Sequence, residues 1–250
     1  MKRQIAILVI ITSVPGCIHK VKLHPFRGDA PVERDEAAID PRYPHEYRVL
    51  PTKPTQYAAH LLEIAKNYES YGRYDSRMRW APETCAQFEF PDPPSLDYSS
   101  NGDSEGHGKK LYSLFALPIA SFAKDDTESP QQIEPGRIVV KEAWFSKEVP
   151  DPGGSLPSLT RQVKTWYGEP LRDSYVPYGR KKGHLYTATA KAGLFVMFKL
   201  HATAPGTDEG WVYGTLTADG KKVTSVGRVQ RCMRCHDNAP GDHLFGPAKE

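Results

Sequence analysis

The chain has 250 residues, a formal net charge of +3 from 33 basic against 30 acidic side chains, 39% hydrophobic residues and 22 prolines. That length suits one sizeable domain with extensions, and the many prolines beside a modest apolar fraction predict that part of the chain is unpacked. Nearly balanced charge, with no Lys/Arg stripe interleaved with aromatics, excludes the electrostatic footprint of a nucleic-acid binder.

Lys2 and Arg3 form a charged start, and Ile5 to Val14 is an apolar stretch of about ten residues, too short to span a bilayer. Together they read as an export signal. Val14-Pro15-Gly16-Cys17 follows and resembles the lipobox of bacterial lipoproteins. The resemblance implies a signal peptide over residues 1–17, lipidation of Cys17 and a protein anchored to the membrane in the bacterial periplasm. The plainer alternative is a conventional cleavage site that Cys17 merely lies near. Residues 18–53 are rich in Pro, Arg, Asp and Glu without an apolar period, so they bury too little surface to fold alone and read as a flexible tether.

A helix is predicted from about Thr55 to Tyr71, where Tyr57, Leu61, Leu62, Ala65 and Tyr68 recur at three- and four-residue spacing and Gly72 supplies a stop. It is expected to dock on the main domain through that stripe. The rest of residues 54–105, with Pro82, Pro91, Pro93 and Pro94, reads as irregular connection, and Cys85 within it as a lone free thiol.

Beyond Lys109 the period changes to that of strands: Leu111 to Phe122, Arg137 to Phe145, His184 to Thr189, Leu194 to Leu200 and Trp211 to Thr217. Asp219-Gly220 signals a hairpin leading into Lys222 to Val226, and Ala192-Gly193 a second short turn. A helix is expected around Leu159 to Trp166 and another near the C-terminus. The fold class is therefore α+β, mainly β: an antiparallel sheet domain over residues 106–250.

That last helix carries Cys232-Met233-Arg234-Cys235-His236, a C-x-x-C-H sequence that fits attachment of a single c-type haem. Two thiols three positions apart can reach two vinyl groups on one porphyrin edge, and the adjacent imidazole can then bind iron. Cys232 and Cys235 are thus the covalent attachment residues and His236 the metal ligand. Zinc ribbons and thioredoxin-like sites share the first four positions. No second Cys/His pair completes a zinc site, and a thioredoxin motif sits early in a βαβ unit; both stay as lesser alternatives. About fourteen residues follow His236, none of them methionine, so the pocket must come from the preceding strands and the sixth iron position need not be filled.

Taken together, Gly136-Arg137-Ile138-Val139-Val140-Lys141-Glu142, Gly210-Trp211-Val212-Tyr213-Gly214, Asp219-Gly220, the C-x-x-C-H and Asp242-His243-Leu244-Phe245 resemble the cytochrome P-460 family and its relative cytochrome c-prime-beta. The resemblance covers residues 106–250. It implies a mainly antiparallel β fold, commonly homodimeric, with five-coordinate haem c and an open distal face. It also implies that Lys141 is a candidate for a covalent bond to the porphyrin ring, which in that family tunes reactivity toward hydroxylamine.

Strand alternation puts Lys141 on one face with Val139, Ala143 and Phe145, and turns Glu142 toward solvent or a dimer partner. Met197 is a candidate distal residue, with core packing as the alternative. His243 reads as a surface residue or one that supports a ligand, and His107, His184 and His201 as non-ligands. Three functions follow: oxidation of hydroxylamine or a related small nitrogen compound with electrons passed to a periplasmic partner; NO or CO binding without turnover; or plain electron transfer.

Overall fold

Helical and two-residue periods both materialise, in a computed structural model that describes residues 50–81, 110–122, 132–164, 170–239 and 241–245. Cys17, Cys85, His107 and nearly all of the tether lie outside the described residues.

Helix α1 spans Pro54–Asn67, with proline at its first position, where the missing N–H would have had no helical partner, and with Gln56 Oε1 accepting the Lys53 N–H at 3.2 Å. A single 3₁₀ turn, Tyr68–Ser70, and Gly72 at positive φ end it. No helix among the described residues is long and apolar enough to cross a membrane.

The strands are β1 (Arg79–Trp80), β2 (Lys110–Leu117), β3 (Ile138–Val149), β4 (Leu159–Lys164), β5 (Pro170–Tyr175), β6 (Tyr178–Lys181), β7 (His184–Lys199), β8 (Trp211–Leu216) and β9 (Val223–Gly227). Seven of them form one antiparallel sheet in the order β1-β2-β3-β7-β8-β9, with β6 added beside the first part of β7. β4 and β5 make a separate two-stranded ribbon. The molecule is thus mainly antiparallel β with short helices: α2 (Ile119–Phe122) follows β2, and α3 (Gln230–His236) follows β9. β2 stops where Pro118 removes a ladder N–H, short of the expected Phe122.

Two further expectations are corrected. Leu159 to Lys164 is a strand, because Arg161 and Val163 turn inward between exposed Thr160, Gln162 and Lys164, a period of two. Ala192-Gly193 is no turn, since β7 runs through it unbroken. A Cβ on Gly193 would sit 2.9 Å from the Leu216 carbonyl oxygen, so glycine serves close strand approach here.

One sheet face carries Phe115, Ile138, Val140, Leu194, Val196, Phe198, Val212 and Leu216, and packs with Tyr57, Leu61, Ile64 and Tyr68 of α1 and its 3₁₀ turn. Contact is close because β8 offers Gly214, where any Cβ would overlap Leu61. The opposite face carries Ala116, Val139, Met197, Trp211 and Tyr213 and packs with Met233 of α3 and with Leu244.

Candidate functional site

α3 is short and closes on itself through Cys232 N–H and Met233 N–H donating to the Val229 carbonyl at 2.8 and 3.0 Å. Buried Met233 fixes it against the sheet. Positions i, i+3 and i+4 share one side of a helix, so Cys232, Cys235 and His236 fall together within about one turn. Cys232 is a half-buried free thiol, its pKa pushed up to about 11 by burial. Cys235 is disulfide-bonded.

The His236 ring lies 5.5 Å from the Tyr213 ring and 5.4 Å from that of Phe245. Its Nδ1 is 2.7 Å from the His243 backbone oxygen. A carbonyl only accepts, so Nδ1 carries the proton and Nε2 keeps its lone pair, with no hydrogen-bond partner among the described residues. Burial lowers the imidazole to about 4, and the positive charge of Lys141 adds to that depression. An imidazole held neutral, in one tautomer, with its second nitrogen available, is what a metal-ligating histidine requires.

Lys141 lies on this same face. Register pairs it with Leu114 on β2 and Phe195 on β7, one step along from the Ala116, Val139, Met197 row. It is half-buried, with Nζ 4.3 Å from the Tyr112 ring centre and no ion-pair partner among the described residues. Burial, and then repulsion from Lys110, lower its pKa to about 7. An amine so tuned is partly neutral, and so nucleophilic, near neutral pH.

Glu142 corrects its expectation: it is 1% exposed and turned under α1, not toward solvent. Tyr68 Oη donates to its Oε1 at 2.5 Å, Lys191 Nζ lies at 2.8 Å and an Arg161 nitrogen at 4.0 Å. Met197 is 8% exposed and belongs to the face that holds α3. His184 pairs with Glu148 at the exposed end of β7, and exposed His201 bonds Thr203, both away from the cysteines in the chain.

The His243 side chain is 15% exposed and sits between Asp208 and Asp237, each at 3.5 Å. Those three residues bring one possible metal-ligating atom each within 4.8 Å of one another. Tyr213 Oη donates to Asp208 at 3.0 Å. Sequence reading missed Asp208, Lys199 and the role of Asp242. The first two carry no motif, and Asp242 was noted only as part of a short run. No family model matches this chain, and no curated relative matches it.

Proposed function

We propose that the chain is an exported, mono-haem c-type cytochrome in which Cys232 and Cys235 hold the porphyrin, His236 Nε2 binds the iron and Lys141 belongs to the reactive face. The observation that carries this is the His236–His243 carbonyl bond, which frees one ring nitrogen of a neutral imidazole inside a C-x-x-C-H helix. A haem so held would supply a redox-active iron.

This chain's residues do the rest. Tyr213 and Phe245 flank the imidazole, and Val139, Met197 and Met233 exclude water from its side of the sheet. Lys141, uncompensated and partly neutral, is the candidate third tether to the ring, and it favours oxidation of hydroxylamine or a related small nitrogen compound over plain NO or CO binding or electron transfer. Attachment needs both sulfurs as thiols, so the Cys235 disulfide must first be opened by a thiol reductant.

Expression in a host that matures c-type cytochromes, followed by haem staining of denaturing gels, tests the assignment. Wild type should stain and gain the mass of one haem, while C232A/C235A should not stain. Equal staining of the double variant would sink it. Peptide mapping then asks whether a Lys141 peptide stays joined to the Cys232–His236 peptide; an unmodified Lys141 in mature protein would favour the gas-binding or electron-carrier alternatives. The lipobox-like sequence leads to a separate expectation, that C17S moves the protein from the membrane fraction to the soluble one.

A further inference from the structure

α3 holds nothing against His236 Nδ1; the acceptor comes from the tail beyond the helix. That tail makes a tight turn, Gly241 to Leu244, closed by Leu244 N–H donating to the Gly241 carbonyl at 2.7 Å. Its two central residues, Asp242 and His243, have φ of 41° and 60°. A type I′ turn demands two successive positive φ values, most readily met by Asn, Asp or Gly, so a histidine at the second position needs surroundings that hold it there.

Asp242 supplies that hold. Its Oδ2 accepts the Ile133 N–H at 2.7 Å, and its Oδ1 accepts from Lys199 Nζ at 2.7 Å and from the Trp211 indole at 3.2 Å. The same indole donates to the Asp242 carbonyl at 2.7 Å. Lys199 is 2% exposed, and its ammonium also donates to the Glu209 carbonyl at 2.8 Å. Three segments, the approach to β3, the end of β7 and the start of β8, thus converge on one carboxylate next to the residue that presents the carbonyl.

We propose that Asp242 is the positioning residue for His236, acting through the backbone: its anchored carboxylate locks the turn so that the His243 carbonyl fixes the imidazole as the Nδ1–H tautomer. The proposal rests on the reading of His236 as the iron ligand only for what Nε2 binds. A firm acceptor at Nδ1 raises the electron density of the other nitrogen, strengthening the ligand and lowering the reduction potential of the metal it holds.

The test uses the full chain. In ¹⁵N-labelled, haem-free protein, two-bond ¹H–¹⁵N correlations should report a single Nδ1–H tautomer at His236, and D242N should show mixed tautomers, because an amide cannot accept from every donor around it. H243N, which keeps the carbonyl and tolerates positive φ, should leave the signal unchanged. W211F, milder for folding, should move it in the same direction as D242N by a smaller amount. In haem-bearing protein, D242N should shift the ferrous iron–histidine stretch to lower frequency and raise the midpoint potential. An unchanged tautomer in both D242N and W211F overturns the proposal, as does loss of the tautomer in H243N alone. Failure of wild type to bind haem covalently, with the tautomer pattern intact, overturns the haem reading and leaves the positioning role standing.

Discussion

Two neighbouring charged residues on β3 meet opposite fates. Glu142 faces α1 and has every help: burial alone would raise its carboxyl, but Lys191, Tyr68 and Arg161 together hold it below the usual carboxylate value. Lys141 faces the C-x-x-C-H helix and has no counter-ion among the described residues, so burial lowers it unopposed. One sheet thus carries a face whose charges are compensated and a face where one is left uncompensated. Strongly perturbed groups cluster at functional sites, and structural ion-pair networks perturb groups as well.

The comparison breaks most visibly at Leu61, which is fully buried over Gly214. Leu61→Ala should cost roughly 2–5 kcal/mol in urea unfolding, by lost burial and the cavity left behind, and leave haem content per folded molecule unchanged. If haem content falls with stability, the two faces are not separable.

Glu142→Gln comes next, with an expected loss of about 1–3 kcal/mol at neutral pH, because Lys191 and Arg161 lose their buried partner. A carboxyl depressed by folding stabilises fully above its unfolded pKa, near 4.3, and stops doing so as pH falls through the folded value. The variant should therefore lose less stability than wild type between neutral pH and acid. Parallel acid limbs would show that Glu142 is not the group responsible.

Lys141→Met should act with the opposite sign. The folded amine titrates near 7 and the unfolded one near 10.5, so its protonated form destabilises most below pH 7, and the penalty fades as pH rises between those values. At pH 6 the variant should be more stable by on the order of 1–2 kcal/mol after discount for solvent screening, and equal to wild type above pH 10.5. A destabilised variant at pH 6 would refute the uncompensated amine.

Smallest is His184→Ala, which removes an exposed pair with Glu148 at the far end of β3 and β7 and should change stability by less than about 0.5 kcal/mol.

Chemistry was legible in the sequence where it demands fixed local spacing. Cys232, Cys235 and His236 fall within one helical turn, as their i, i+3, i+4 spacing required, and alternation alone assigned Lys141 its companion Val139. Alternation separates the two sides of a strand, but it does not say what covers each. Glu142 was misread because its cover, Tyr68, lies 74 residues away. Gly193 looked like a turn residue because a glycine needed for close approach has the same letter as one needed for positive φ. The Asp242 anchor was illegible for a related reason: Ile133, Lys199 and Trp211 converge on it from three separate segments, and no local pattern marks any of them.

The β4–β5 ribbon, finally, bears on how the protein responds to its ionic surroundings. Asp173 is clamped between Arg73 and Arg161, whose guanidiniums also lie over the Phe115 and Tyr175 rings. Counter-ions reach those partners unequally. The Arg73–Asp173 pair is at most 8% exposed on either side, whereas Glu69, the outer acceptor of Arg161, is 39% exposed. Salt screens charges that water can reach and leaves enclosed ones nearly intact. The ribbon is thus latched by an inner clasp that tolerates wide swings in ionic strength and an outer one that loosens first.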